Sequence, residues 1–327
     1  MNICSSFLFS GQEEVELLFI KLTTESKYVK SWIAIEGAFT FRGEPKSLSL
    51  KDIVKKEPRF QPYADRITVI EIRENLFEKY NYPKLFKLRK NIELFLRKIL
   101  KLDFEVTLRK FLEMPNFFVE RESRNVALER CIDTMNPDTD WVFISDVDEI
   151  LNLETDEIQN ALQVCMNQGT SFILLNRVRF VFDFDNLDGQ QRFTPLVRIS
   201  YFQQNNESSM AEFRERVDGI PLTEHPYVVE YSYCLSKQGI YEKLKSFAHL
   251  SPPLEQIERA FRLNHNFVYL DKGTLNLRWL SQVDPMNMQV PQIVKTNLGK
   301  LRTGNVNPNF AQARKVEYPS LFSPKRY

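Results

Sequence analysis

The sequence predicts an α/β fold: a mostly parallel central sheet flanked by helices, with a helical insertion and an irregular C-terminal tail. Two observations carry this. From the N-terminus to about residue 72, apolar runs of strand length alternate with amphipathic stretches of helical spacing. Strand-helix-strand order of that kind builds a parallel sheet with helices on its faces. Further on, the apolar run Trp141-Val142-Phe143-Ile144 follows a helical stretch and runs into Asp146, Asp148 and Glu149. The carboxyl end of a strand is where an open α/β sheet binds its ligands.

The elements follow in order. Residues 3–9 read as the first strand, followed by an amphipathic helix. Residues 28–37 read as the second strand, ending near Glu36. A loop over 37–48, a short helix over 50–57 and a third strand over 66–72 complete the first half. Residues 76–115 interrupt the alternation as a helical insertion. Within it, over 84–101, Leu85, Leu88, Ile92, Phe95, Leu96 and Ile99 share one helical face, and Lys87, Lys90, Arg97, Lys98 and Lys101 the other. That helix either packs on the core with a solvated basic face or lies on an anionic membrane surface. A helix over 122–135, a turn and the strand 141–145 come next. Strands over 171–184 and 192–200, joined by a turn over 185–191, precede a strand over 226–235 and helices over 237–248 and 254–263. From residue 283 the composition shifts to Pro, Asn, Lys and Arg without periodicity, which reads as a tail.

Several classes of function are excluded by what the chain lacks. It holds only 10 Gly and has neither the Walker pattern nor G-x-G-x-x-G. A net charge of +1 provides no global field for nucleic acid. Cys4, Cys131, Cys165 and Cys234 form no C-x-x-C pair and read as buried free thiols, and the three His have no zinc-ligand spacing. The N-terminus lacks the basic start of a signal peptide, and no run reaches the roughly 18 apolar residues of a spanning helix. The expectation is a cytoplasmic protein, in peripheral contact with membrane if the helix over 84–101 binds lipid.

The acids after Ile144 need an explanation, because three neighbouring carboxylates repel one another unless positive charge sits among them. A divalent cation is the simplest source. Mg²⁺ and Mn²⁺ favour carboxylate oxygens and bind through one or two of them together with substrate phosphates. Just past a strand, the two acids of Asp146-Val147-Asp148 can address one point while Val147 packs inward. A metal-bridged diphosphate stabilises the charge on a departing nucleoside diphosphate. The plainer alternative is a solvated loop of helix-capping acids.

The segment "SRNVALERCIDTMNPDTDWVFISDVDEI" resembles the helix, strand and D-x-D core of nucleotide-sugar glycosyltransferases of the GT-A (Rossmann-like) fold. It is most similar to glycosyltransferase family 17, the β-1,4-mannosyl-glycoprotein 4-β-N-acetylglucosaminyltransferase family. The opening "FLFSGQEEVELLFIKL" is similar to that family's first strand and helix. Glu36, Thr40, Phe41, Gly43 and Lys46 match its Glu-x-x-x-Thr-Phe-x-Gly-x-x-Lys segment, and Lys243, Ser246, Phe247 and His249 match its Lys-x-x-Ser-Phe-x-His element. Before Ser232-Tyr233 the family carries Gly-Trp-His, where this chain has Val229 and Glu230 in place of Trp-His.

The resemblance, which covers roughly residues 5–250, implies a GT-A domain over 1–282 and a tail over 283–327. It implies an inverting transferase that uses a UDP-sugar, with N-acetylglucosamine as the sugar, Mn²⁺ or Mg²⁺ as the ion, and a glycan or lipid-linked acceptor. Asp148 is then the metal ligand, with Asp146 on the metal or the donor ribose, and His249 completes the metal site or is a packed core residue. Glu149 is a supporting residue or a helix cap. Glu36 holds the uracil or ribose, or is an ordinary strand-end acid. Arg121, Arg124 and Asn125, at the start of the helix before the D-x-D strand, meet the diphosphate or form salt bridges with Glu120 and Glu122, and Lys46 is a further phosphate candidate. The base that removes the acceptor proton is Glu230, Asp183 or Asp185. Two other readings of the acids remain: a Mg²⁺-dependent phosphohydrolase of the haloacid dehalogenase type, with Asp146 as nucleophile, and a non-catalytic GT-A-like binding protein.

Overall fold

A computed structural model of the chain describes residues 2–79, 105–204, 209–216, 218–246, 265–269, 275–279 and 281–301. Its first half is β1 (Asn2–Leu8), α1 (Val15–Glu25), β2 (Val29–Gly37), α2 (Leu50–Lys56), β3 (Ile67–Ile72) and α3 (Leu76–Lys79). Then come α4 (Glu105–Thr134), β4 (Asp140–Asp146), β5 (Glu149–Leu151), α5 (Asp156–Asn167), β6 (Phe172–Val181) and β7 (Asn186–Arg198). The remainder holds α6 (Ile199–Gln204), α7 (Met210–Glu215), β8 (Ile220–Leu222), β9 (Val228–Ser232) and α8 (Lys237–Ser246). It ends with β10 (His265–Tyr269), β11 (Leu275–Trp279), β12 (Ser281–Gln282) and α9 (Gln292–Leu301).

The central sheet follows the path β3-β2-β1-β4-β7-β6-β9-β5, with β8 added to β6 and β12 to β7. It is mostly parallel, as expected. The run β3-β2-β1-β4 is parallel throughout, and β7, β5 and β12 run against their neighbours. A separate antiparallel ribbon joins β10 to β11. Side-chain alternation along β4 explains its central place. Trp141 and Phe143 enter the core built with Leu18 and Leu22 of α1 and Leu162 of α5. Val142 and Ile144 enter the opposite core, with Ala127, Leu128 and Cys131 of α4. A strand buried on both faces must be apolar at successive positions, which is what this run supplies.

Between α1 and the sheet lies an ion pair with no exposure at all, Lys21 and Glu25. The Lys21 Nζ donates to Glu25 Oε1 at 2.9 Å, to Ser145 Oγ at 3.0 Å and to the Glu149 carbonyl at 2.6 Å. Glu25 also accepts from Trp32 Nε1 at 2.8 Å and from the Leu151 amide at 2.9 Å. One buried pair thus ties α1 to β2, β4 and β5.

Several expectations need correction. The helix before β4 spans Glu105–Thr134, so the helix expected over 122–135 extends back through Pro115 into residues expected as the insertion. A helix-interior proline removes one main-chain hydrogen bond and crowds the preceding turn, and the helix continues past it all the same. Residues expected as a turn over 185–191 belong mostly to β7. The reversal is tighter, with the Asn186 amide donating to the Asp183 carbonyl at 3.3 Å and Phe182 at φ 67°. The tail contains α9, whose Val294 is buried with Val290 against Leu17 and Ile20 of α1. The three acids after β4 do not form a solvated loop, because β5 starts at Glu149 and pairs with β9. The amphipathic stretch over 84–101, the expected helix over 254–263 and His249 lie outside the described residues. Among the described residues no helix is long and apolar enough to cross a membrane.

Because removing one partner strands the other in a dry core, Glu25→Leu should destabilise the protein by about 3–5 kcal/mol. Lys21→Met should cost less, because Glu25→Leu also leaves the buried Trp32 and Leu151 N–H donors without an acceptor, whereas Lys21→Met keeps both on Glu25. Urea denaturation of the two variants checks the ranking.

Candidate functional site

From β1 the chain builds outward through β2 and β3, then returns to place β4 on the other side of β1. Strand order reverses between β1 and β4, and in such sheets a crevice opens beyond the carboxyl ends of the two strands. A cavity of about 390 Å³ lies there. Its lining divides by character. Phe9, Phe39, Phe41, Ile72, Leu76 and Val119 supply apolar surface, while Lys46, Arg177, Arg179, Arg192, Arg214 and Lys243 supply cations. The carboxylates Glu14, Asp146, Asp148, Glu149 and Glu230 also line it.

Each acid at the end of β4 is matched by a side-chain cation. Asp146 accepts from Arg124 through Oδ1 and from Arg214 through Oδ2, the latter at 2.8 Å. The surrounding protein works against ionising Asp146, yet Arg214 and Arg124 overcome it and hold its carboxyl well below the usual range. Glu149, buried, takes Arg177 on Oε1, and Arg214 at 2.8 and 3.0 Å. Asp148 accepts from Lys243 Nζ at 2.8 Å, and the same ammonium lies 2.9 Å from Glu14 Oε1. Burial pulls the Lys243 pKa down, but Asp148 and Glu14 outweigh it and carry it well above the ordinary lysine value, while burial raises the Asp148 pKa in spite of Lys243. Glu230 lies opposite Glu149 across β5 and β9. It pairs with Arg177 Nε at 3.2 Å and accepts from Ser232 Oγ. Burial again opposes ionisation, and Arg177 and Arg179 reverse it, so the Glu230 pKa is lowered.

The structure sorts the other expected site residues. Lys46 lines the cavity and donates to the carbonyls of Ser10 and Phe9 at the end of β1, with its pKa lowered by burial. Arg124 sits behind Asp146, nearly fully buried, and also donates to the Ser145 carbonyl at 3.0 Å and to Glu120. It is not at a helix N-terminus, nor are Arg121 and Asn125, because all three lie deep within α4. Arg121 is partly exposed over the Phe118 ring, with Glu122 and Glu212 within ion-pair distance. Neither Arg121 nor Asn125 lines the cavity. Glu36, at the end of β2, is wholly buried and caps α2. Its two oxygens accept from the Ser49 and Leu50 amides at 2.9–3.1 Å, where the helix dipole favours a carboxylate. Asp183 and Asp185 are buried at the turn before β7 and do not line the cavity.

Glu14, Arg177, Arg179, Arg192 and Arg214 are not singled out by sequence reasoning. One signal does exist: Arg177 and Arg179 alternate along a strand, which aims both at one face. Arg214 has none, because α7 is a six-residue helix whose role depends on where the chain folds it.

A divalent ion requires carboxylate oxygens not already committed to another cation. Both oxygens of Asp146 serve arginines, and Asp148 shares Lys243 with Glu14. Among the described residues no group of three or more His, Cys, Asp or Glu is placed to hold a metal ion. Among the described residues these donors, as arranged, do not fit a Mn²⁺ or Mg²⁺ ion, and His249, the third expected ligand, lies outside them.

Asp146 contributes stability that is full above the unfolded carboxyl pKa of about 4 and is lost as pH falls through its lower folded value. Arg214→Met raises that folded value and leaves Glu149 underpaired. It should cost about 3–5 kcal/mol at neutral pH and move acid unfolding, followed by circular dichroism, to higher pH. Compared with known proteins, the chain matches no family model and no curated protein.

Proposed function

We propose that the chain is a glycosyltransferase that moves a sugar from a nucleoside-diphosphate sugar to the hydroxyl of a glycan or lipid-linked acceptor. The observation that carries this reading is the cavity at the strand-order reversal, lined both by aromatic and aliphatic side chains and by cations around an Asp-Val-Asp element. A nucleoside diphosphate has the matching polarity, with a flat base and a dianionic pyrophosphate. The β3-β2-β1-β4 order, which matches the first half of a dinucleotide-binding sheet, supports a GT-A type of fold. The resemblance to family 17 points to UDP-N-acetylglucosamine as donor.

In this reading Phe9, Phe39 and Phe41 hold the base. Lys46, anchored on the main-chain carbonyls of Ser10 and Phe9, meets a phosphate. Glu230 is the general base: ionised, at the cavity wall, and held by Arg177, it is a carboxylate that can accept the proton of an attacking hydroxyl. Inversion then follows from direct displacement on the face opposite the departing diphosphate. Asp183 and Asp185, away from the cavity, are set aside as bases.

The test is UDP release from a panel of UDP-sugars. One sugar should turn over, and Glu230→Gln should lower the rate at least about 100-fold with UDP affinity retained. Lys46→Met should weaken UDP binding by about tenfold or more. Failure of every UDP-sugar and of UDP itself to bind would overturn the reading, and full activity in Glu230→Gln would remove Glu230 from the mechanism.

A further inference from the structure

Lys243 has an unusual setting for a cavity-lining lysine. Its side chain is 8% exposed, and its Nζ lies 2.8 Å from Asp148 Oδ2 and 2.9 Å from Glu14 Oε1, themselves 8% and 2% exposed. The three groups come from three separate parts of the chain: the turn after β4, the single turn of 3-10 helix before α1, and α8. The Tyr233 ring lies 5.9 Å from the ammonium, and Tyr233 adopts φ 56°, in the left-handed region, where this tyrosine faces the cavity. Glu14 is fixed in turn, because its Oε2 accepts from the Ser10 amide at 2.7 Å. Two carboxylates converging on one buried positive centre is the arrangement a divalent ion would require. Here the centre is an ammonium.

We propose that the Lys243 ammonium is the resident cation of the Asp146-Val147-Asp148 element, standing where a divalent metal would otherwise bridge its acids, so that the site takes a nucleoside diphosphate without a metal ion. The second half rests on the nucleotide-sugar reading above; the first does not. A metal ion bridging Asp148 Oδ2 and Glu14 Oε1 would have to displace an ammonium from two buried carboxylates and leave it unpaired in the same low-dielectric space, a strongly unfavourable exchange. Asp146 offers no alternative, since Arg124 and Arg214 hold its oxygens. The positive charge that a metal would supply to a diphosphate is then left to Lys46, which main-chain carbonyls rather than a carboxylate of the cluster hold. Such preorganised charge stabilises a developing anion without rearrangement at the moment of reaction.

The test uses the full chain with Mn²⁺ and UDP as probes. Electron paramagnetic resonance of free Mn²⁺ should show no stoichiometric binding to the wild type, with or without UDP, and its melting temperature should not change between Mn²⁺ and EDTA. Lys243→Ala, which opens the space between Asp148 and Glu14, should gain Mn²⁺ binding. Its melting temperature should rise by about 5 °C at a hundredfold excess over the dissociation constant. UDP affinity of the wild type should agree within about twofold in Mn²⁺ and in EDTA, a difference of about 0.4 kcal/mol or less. Stoichiometric Mn²⁺ binding by the wild type, or UDP binding only in the presence of Mn²⁺, overturns the proposal. If Lys243→Ala does not fold, the wild-type Mn²⁺ titration alone decides. UDP binding in neither condition would sink the nucleotide reading, while the Mn²⁺ titration would still decide whether Lys243 holds the cation position.

Discussion

Compensation of the carboxylates gathered where β4 ends is the constraint on which the rest of this structure depends. Asp146, Asp148, Glu149, Glu14 and Glu230 surround one cavity, and four of them are nearly inaccessible to water. Isolated charges at such depth are prohibitive, so each must find a partner or lose its charge. The partners arrive from well-separated parts of the chain: Arg124 from α4, Arg177 from β6, Arg214 from α7 and Lys243 from α8. Closing this network therefore requires the N-terminal parallel half of the sheet and the mixed half to be docked together. A single arginine shows the coupling. Arg214 holds Asp146 and Glu149 together, and so braces the turn between β4 and β5.

A second buried network supports the first from below. Lys21 and Glu25 fasten α1 to the strand that delivers the acids, through Ser145, and to β5, through the Glu149 carbonyl and the Leu151 amide. The Glu149 main chain is thus held by α1 while its side chain is held by arginines from the opposite side. Buried ion pairs are weak evidence for net stability, because desolvation offsets much of their attraction. Their effect here is geometric. Each pair is satisfied in one register of α1 against β4 and β5, and a shift of either element leaves several charged groups without partners.

The fold is largely legible in the sequence where periodicity is local. β1, β2, β3 and β4 announce themselves as apolar runs between helical stretches, and the acids at the end of β4 mark its carboxyl edge. What is illegible depends on distance along the chain. Lys21 sits at an ordinary position of an amphipathic helix, and nothing local tells that it is fully buried beneath Ser145. Glu36 looks like a strand-end acid free for a ligand, but the loop that follows brings the Ser49 and Leu50 amides onto it. Arg121, Arg124 and Asn125 read as a helix start from a plausible local boundary, and α4 extends well before it. Pairwise contacts between residues more than a hundred positions apart, such as Glu14 with Lys243, leave no pattern in a single sequence.

Charge compensation also changes what the Asp-Val-Asp element does. From sequence alone its acids ask for a cation, and a metal is the economical answer because one ion neutralises two charges. The fold answers with guanidinium and ammonium groups, which differ from a metal in a consequential way. They are permanent, and directional in their hydrogen bonds. The carboxylates then serve less as ligands than as anchors that hold Arg177, Arg214 and Lys243 in fixed positions around the cavity. Lys46 stands apart, held by main-chain carbonyls at the end of β1 rather than by an acid of the cluster. The carboxylates and cations of the cluster are matched among themselves, so in the proposed reading a dianion is left to Lys46. In that reading the phosphates lie beside Ser10 and the base toward Phe39 and Phe41.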